Sequence, residues 1–448
     1  MGNGNLDITQ RIPQKIMFAL VDINGAFVAM EYVFRPGDRN KPAVVLSNGD
    51  GCIIAANKLA KSLPGFEMYS PAFQMEDVLT RNNVLRFSPN FELYVDMSRR
   101  FIEELKQFTD KVEMYSIDEA FLDMDFKDID YTEYGHTIRK TILKNLDLPV
   151  GIGIAPTKAL CKVASRIAKK FIERTNGVHA IDTEEKRVKA LKWLKIEDVW
   201  GIGRQHTKRL QAIGIKNAWQ FTQLTDSWVL KNMTVVGLRL KHELQGISCL
   251  SLSEVHEPKK EIGTAKSFGS LLSDYELIKE ATSSYVEYCA GKLRRQNSVA
   301  SAILIHLETN SFRTQDEQYY NRIVVTLPVP TSDTALLIRH ACDGLQKIFK
   351  PGLKYKRVGV SCIGLFPDSS IQGNLFFETN PKTIKLQKAV DFLNMKYEQG
   401  TIRLASSGYN RQHWESKAAL RSPRYTTRLN EILNFGEDVL KNYAKATE

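Results

Sequence analysis

The sequence predicts a multidomain protein of α/β (α+β) class, and three observations carry the prediction. Strand-like apolar runs alternate with helical patterns through residues 1–180. Short helical patterns alone fill residues 181–250. From residue 261 the order of elements becomes β-α-β-β-α-β, which closes as a small sheet with both helices on one face. At 448 residues the chain has room for about three domains.

The elements follow in order along the chain. Residues 17–23 (MFALVDI) are a β-rich run ending at a carboxylate, followed by a small-residue turn and the helical AFVAMEYVF. A second run at 42–47 (PAVVLS) stops at the turn cluster Asn48-Gly49-Asp50-Gly51. Leu93, Met97, Phe101, Leu105 and Phe108 recur at three- and four-residue steps, an amphipathic helix over 92–108. KVEMYSIDEAFLDM reads as two short strands around Ser116-Ile117-Asp118-Glu119, and LPVGIGIA at 148–155 as another strand before the helical KALCKVASRIAKKF. The helical stretch 181–250 contains the glycine-punctuated VWGIGRQHTKRLQAIGI, and 251–260 is a linker. The last sheet unit comprises EIGTAKSFG, a helix over 274–295, ASAILIHLET, RIVVTLPV, a helix over 332–349 and KRVGVSCIGLF. Beyond 381 stand a helix, the fragment TIRLASSG and a basic tail with SPRYTTR, whose pattern implies no fold of its own.

With 43% apolar and 25% charged residues, the composition excludes collagen-like, wholly disordered and membrane-spanning classes. The formal charge is +11, and it is unevenly placed. Residues 1–180 hold 23 basic and 23 acidic side chains, whereas residues 181–448 hold 39 and 28. That asymmetry points to a polyanion partner for the second part, nucleic acid before membrane. The six cysteines are scattered without a C-x-x-C pair, so free thiols rather than a zinc site are expected. The N-terminal decapeptide has no apolar signal region, and the apolar stretch 16–34 is interrupted by Asp22, Asn24, Gly25 and Glu31, so a reducing, cytoplasmic compartment is expected.

Three carboxylates carry the chemistry. Asp22 ends the first strand, and Asp118 with Glu119 lies in the turn of a later hairpin able to pair beside it. Two divalent ions a few ångströms apart need oxygen ligands on rigid neighbouring elements, which strand ends supply. Lys58, Lys61 and Lys158 in the same region suit a triphosphate.

The ordered set Asp22-Ile23-Asn24-Gly25-Ala26-Phe27, Val45-Leu46-Ser47-Asn48-Gly49-Asp50-Gly51-Cys52, Ser116-Ile117-Asp118-Glu119-Ala120-Phe121 and Gly153-Ile154-Ala155-Pro156-Thr157-Lys158 resembles the Y-family translesion DNA polymerases, the bacterial UmuC type above all. The likeness extends through VWGIG at 199–203 to the RYTTR tail, so it covers nearly the whole chain. It implies a right-hand-like polymerase: palm at 1–35 and 85–180, fingers at 36–84, a helical thumb with helix-hairpin-helix at 181–250, the linker 251–260, a little finger at 261–368, and a C-terminal extension at 369–448.

The resemblance also implies roles. Asp22 and Asp118 would bridge two Mg²⁺ ions, Glu119 would ligate the ion that activates the primer 3′ hydroxyl, and the Ile23 carbonyl would complete the other site. The reaction is in-line attack on the α-phosphate with pyrophosphate leaving. Phe27 matches the steric gate that excludes a ribose 2′ hydroxyl, and Lys158 the palm lysine on the phosphates. Lys58 and Lys61 stand where the wider family has Tyr-x-x-Arg, Ala56 stands where UmuC-type chains commonly carry Arg, and Ala26 replaces an aromatic; a lysine keeps the charge but loses the bidentate fork. Gly201 and Gly203, with Arg204 beside them, resemble the phosphate-approaching hairpin turn, and Lys266, Arg294, Arg295 and Lys356 supply basic charge for duplex DNA. Gln372, Leu375 and Phe376 resemble the peptide by which bacterial polymerases dock on a sliding clamp. Partners implied are primer-template DNA, a deoxynucleoside triphosphate, a clamp, and UmuD-like and RecA proteins in an SOS-type damage response. The substituted fingers positions leave an alternative open, a catalytically weak DNA-binding accessory protein of the same fold.

Overall fold

The central strand β1 (Phe18–Ile23) is apolar almost throughout because both of its faces are covered. In a computed structural model, which describes residues 16–124, 129–252, 257–370, 381–397, 400–409, 414–416 and 418–433, the chain forms two units: residues 1–255 with 419–448, and residues 256–418.

In the first unit, helix α1 (Ala26–Val33) follows β1 through Gly25, whose φ of 62° is the left-handed turn that a small residue permits. Strands β2 (Ala43–Leu46) and β3 (Ile53–Ala56), helices α2 (Lys58–Lys61) and α3 (Glu76–Arg81), and β4 (Leu85–Phe87) make a separate three-stranded sheet, ordered β3-β2-β4. Its own core holds Val44, Leu46, Ile53, Ala60 and Leu79. The third strand of this sheet lies just beyond the expected fingers boundary at 84, because β2 pairs with β4 in parallel and needs the intervening crossover.

The main sheet adds β5 (Val112–Met114), β6 (Glu119–Asp123), β7 (Val150–Ala155) and β8 (Val178–Ala180), in the order β5-β6-β1-β7-β8. Helices α4 (Phe91–Leu105) and α5 (Tyr131–Leu146) cover one face, where Ala19, Val21 and Ile23 of β1 meet Leu93, Met97, Phe101, Ile138 and Ile142. α6 (Lys158–Lys170) covers the other, against Phe18, Leu20 and Phe121. Each such fully buried apolar side chain stabilises by roughly 1.5–3 kcal/mol, so the expected helical stripe at 92–108 is what anchors α4.

α7 (Ile172–Thr175) lies between β7 and β8, and beyond the sheet come α8 (Glu184–Trp193), α9 (Arg204–Ala212), α10 (Ala218–Thr222) and α11 (Asp226–Leu244), the helical segment expected at 181–250. Part of the C-terminal extension returns to this unit, with Tyr425 joining the core under α1 and α4.

The second unit contains β9 (Ile262–Leu272), α12 (Tyr275–Arg295), β10 (Ser298–Thr309), β11 (Tyr320–Thr331), α13 (Thr334–Ile348) and β12 (Tyr355–Pro367), the expected β-α-β-β-α-β order. All its strand pairs are antiparallel, in the order β11-β10-β12-β9. Both helices pack on the face carrying Ile303, Ile305, Leu307, Val358 and Val360. The other face presents His306, Arg322, Arg357 and Ser361, which alternate with these core positions.

The expected extension 369–448 is not one separate body. Residues up to 418 belong to the second unit and the rest to the first. In the second unit, Asp391 of α14 (Pro381–Lys396) pairs with Arg294, and Trp414 is buried with its indole N–H donating to Glu280 Oε1 at 2.7 Å. All six cysteines are free as expected, but only Cys161, Cys289 and Cys362 are fully buried.

Candidate active site

The site forms where α6 lies unusually close to the sheet. A Cβ on Gly153 of β7 would stand 2.1 Å from Ser165 N and 2.3 Å from Cys161 O, so only glycine admits the helix at this distance. The start of α6 is fixed as well. Thr157 caps it, its hydroxyl donates to Glu243 O at 2.8 Å, and the Ala159 N–H donates to the buried Glu243 carboxylate at 3.1 Å.

So held, α6 lays three lysines across three consecutive strands. Lys158 Nζ meets Glu113 Oε2 of β5 at 2.6 Å, Lys162 Nζ meets Glu119 Oε2 of β6 at 2.6 Å, and Lys169 pairs with Asp22 of β1. Gly151, the register partner of Asp22 on β7, makes room for the last of these: a Cβ there would lie 3.0 Å from Lys169 Cγ.

Asp22 and Glu119 are themselves register partners on adjacent strands. The N–H of Ile23 donates to Asp118 O at 2.9 Å, which ties the hairpin turn to the end of β1. Ser116 Oγ donates to Asp118 Oδ1 at 2.6 Å and holds that carboxylate within its own turn. Burial pushes the Asp22 carboxyl up to about 7; Lys169 opposes the rise and the neighbouring Glu119 charge adds to it. A cleft of about 320 Å³ opens here, lined by Asp22, Glu119, Lys162, Arg166, Lys169 and Trp200 among others.

Asp22, Asp118 and Glu119 therefore lie on neighbouring elements as the sequence implied, with Ile23 buried between them. Phe27, one residue into α1, is half-buried and stacks on Tyr94 at 4.6 Å between ring centroids, with Phe91 edge-on at 6.0 Å. Lys58 and Lys61 are exposed on α2, while Ala56 and Ala26 are buried.

Lys158 differs from expectation. It is buried, paired with Glu113 and 5.2 Å above the Phe121 ring, because the first turn of α6 lies over the sheet-edge strand rather than over β1. The cations at the carboxylates are Lys162 and Lys169. Their spacing from Lys158, four and eleven residues, is a single helical stripe and was readable as such. Lys169→Ala is expected to raise the nucleotide KM about tenfold or more and to push the Asp22 carboxyl still further up, since Lys169 is what opposes its rise. Lys158→Ala should instead cost about 3 kcal/mol by breaking the ion pair of the buried Lys158 with the half-buried Glu113 and removing its ammonium from above the Phe121 ring. Steady-state kinetics and thermal unfolding of the two variants separate these roles.

The remaining predicted positions divide similarly. Gly201 has a φ of 85° and Gly203 precedes α9, whose N-terminus has no side-chain cap, with Arg204 exposed beside it. In the second unit Arg294 is not a free DNA contact. Its guanidinium grips Asp391 at 2.6 and 2.7 Å and also bonds Ser332 O and Thr334 Oγ1, since composition cannot distinguish a surface arginine from one that ties helices together. Lys266 is exposed, but it lies over Tyr285 on the helix side of the sheet edge. Arg295 is exposed, and Lys356 is half-buried with its ammonium donating to Phe268 O at 3.4 Å. Gln372, Leu375 and Phe376 lie outside the described residues.

Among the described residues, no group of three His, Cys, Asp or Glu side chains stands ready as a metal cluster. The donors nevertheless suit a hard divalent cation. They are carboxylate oxygens on strand ends, and the mutual repulsion that helps raise Asp22 is what such a charge relieves. Two lysine ammoniums supply that relief in this arrangement.

The fold is that of the Y-family DNA polymerases: a Dbh–Dpo4 chimera of that family superposes with a TM-score of 0.64 over 78% of this chain and 99% of its own, at 22% identity. The impB/mucB/samB family model matches residues 21–166, its C-terminal-domain model matches 259–375, and a domain of unknown function matches 385–434. Protein UmuC of Salmonella typhimurium is 39% identical over 93% of this chain and 99% of its own length. Protein ImpB of the same species is 36% identical, and DNA polymerase IV of Clostridium acetobutylicum is 26% identical over 87% of this chain. The chain belongs to the impB/mucB/samB family, the UmuC type of Y-family DNA polymerase.

Proposed function

We propose that this protein is a template-directed, error-prone translesion polymerase that adds deoxynucleotides to a primer 3′ end during DNA damage tolerance. The observation that carries the reading is the register pairing of Asp22 with Glu119 at the mouth of a lysine-lined cleft, with the Asp118 turn bonded to the same strand end. Asp22, Asp118, Glu119 and the Ile23 carbonyl would hold two Mg²⁺ ions, which when bound lower the pKa of the primer hydroxyl and neutralise the leaving pyrophosphate. The chain's own groups do the rest. Lys169 and Lys162 exchange a carboxylate for incoming phosphate oxygens, and the exposed Lys58 and Lys61 add charge from the fingers. Phe27 presents its ring to the sugar.

Segment by segment, residues 1–35 and 85–180 act as palm, 36–84 as fingers, 181–250 as thumb and 261–368 as little finger. The surplus positive charge of the last two grips the duplex backbone. The uncapped N-terminus of α9 after Gly203 contacts a phosphate. Gln372, Leu375 and Phe376 dock on a sliding clamp, UmuD-like and RecA proteins are partners, and the site of action is the cytoplasmic nucleoid. Extension of a primer past an abasic template position with Mg²⁺ tests the reading.

Phe27→Ala is expected to raise ribonucleotide over deoxynucleotide incorporation by on the order of 10²-fold, the scale on which a lost positioning contact is felt in the chemical step. Single-nucleotide insertion with paired rNTP and dNTP substrates measures it, and an unchanged ratio removes Phe27 from the gate.

A further inference from the structure

The segment 419–433 has no core of its own, yet it is fastened to both helices that carry the gate aromatics. Phe27 and Glu31 lie on α1, Phe91 and Tyr94 on α4, and the two helices are joined by the Phe27–Tyr94 stack and by Tyr94 OH donating to Glu31 Oε1 at 2.7 Å. At the end of α1, Tyr425 of the segment stacks on Phe34 at 4.7 Å and 13°. At the start of α4, Asn90 caps the helix with its carbonyl oxygen and gives its amide to Ser422 Oγ at 2.9 Å and to the Ser422 and Pro423 carbonyls at 3.1 Å each.

The fastening is continuous on either side. Leu420 N donates to Ser88 Oγ at 2.9 Å and Ser88 N to Leu420 O at 3.1 Å. Arg424 and Arg428 both approach Glu92, the residue after Phe91. Asn90, Ser88 and Ser422 are all buried, so these bonds are made in a dry interface where an unmade one is costly. The ring that would lie under the sugar is thus half-buried and mobile only as far as α1 and α4 can part, and the segment spans that joint.

We propose that residues 419–433 act as a positioning strap for the Phe27 gate, setting how strongly the enzyme rejects ribonucleotides. The proposal rests on the gate reading given above. It assigns the end of the domain of unknown function a role in sugar selection at the palm. Tyr425, Ser422 and Asn90 are positioning residues that touch no substrate.

The test is the ratio of kcat/KM for paired dNTP and rNTP insertion in the full-length chain, for the parent, Tyr425→Ala, Asn90→Asp and Phe27→Ala. Asn90→Asp keeps the helix-cap acceptor but sets an oxygen in place of the amide against the Ser422 and Pro423 carbonyls, so it loosens the strap at its other anchor and serves as a second variant if Tyr425→Ala fails to fold. Each strap variant is expected to lower discrimination about fivefold, the scale of one lost ring stack. In a Phe27→Ala background, adding Asn90→Asp should change the ratio no further. If Phe27→Ala relaxes discrimination while the strap variants leave it at the parent value, the strap proposal is overturned and the gate stands. Equal losses of dNTP and rNTP insertion, or a strap effect that persists without Phe27, also overturn it. An unchanged ratio in Phe27→Ala overturns the gate reading and the strap with it.

Discussion

Asp22→Asn and Glu119→Gln each reduce primer extension by on the order of 10³-fold or more, the scale on which preorganised charge stabilisation acts, while leaving the chain folded. The two substitutions are isosteric and sit on strand ends whose backbone pairing does not involve the side chains. What they remove is the anionic oxygen that a divalent cation would bind. The stability effect has the opposite sign at Asp22. Its carboxyl is held up near 7, well above the unfolded value of 3.8, so between these pH values the folded state binds a proton that the unfolded state has released. The metal-free parent therefore loses stability from this group as pH rises from about 4 to 7. The neutral amide lacks that dependence, so Asp22→Asn should unfold at or above the parent temperature at pH 7.5, and the gap should close toward pH 4. Thermal unfolding across that range, alongside extension assays, measures both halves. A catalytic group kept at the expense of stability is the expected signature of a functional site.

Gly153→Val is the second large effect, and here folding and activity fall together. The missing side chain faces the backbone of α6 at Ser165 and Cys161, not the end of a flexible chain, so added carbons can be accommodated only by lifting the helix. Overpacking of this kind costs about 3 kcal/mol or more. Lifting α6 also withdraws Lys162 and Lys169 from Glu119 and Asp22. A lower unfolding midpoint with a raised nucleotide KM in the residual folded protein is expected. Gly203→Ala, with open space around its Cβ position, is the control that should cost far less, only the small penalty of an alanine at a helix N-cap.

The strands and helices that build the site were legible because burial imposes a pattern on them. β1 is covered on both faces and so reads as a continuous apolar run ending at Asp22, and α4 shows its buried stripe from Leu93 to Leu105. The second unit's order followed from its alternating strands. The destinations of individual cations were not legible. Lys158 and Lys169 are equally plausible phosphate ligands by charge, and only the crossing of α6 over the sheet decides that the first meets Glu113 and the second Asp22. Arg294 likewise counted as surplus charge until Asp391 took it up. The C-terminal segments escaped for a different reason. Trp414 and Tyr425 are single anchors inserted into cores made by other elements, and one buried aromatic in a polar stretch has no period to detect.

The most direct test of the central claim is primer extension by the intact chain with Mg²⁺ on undamaged and abasic templates, beside Asp118→Ala. Template-directed extension through the abasic position by the parent, abolished in Asp118→Ala, is the predicted result. Absence of extension by the parent under conditions that support a related Y-family enzyme, or equal behaviour of parent and variant, would contradict it and leave a DNA-binding protein that has kept only the fold.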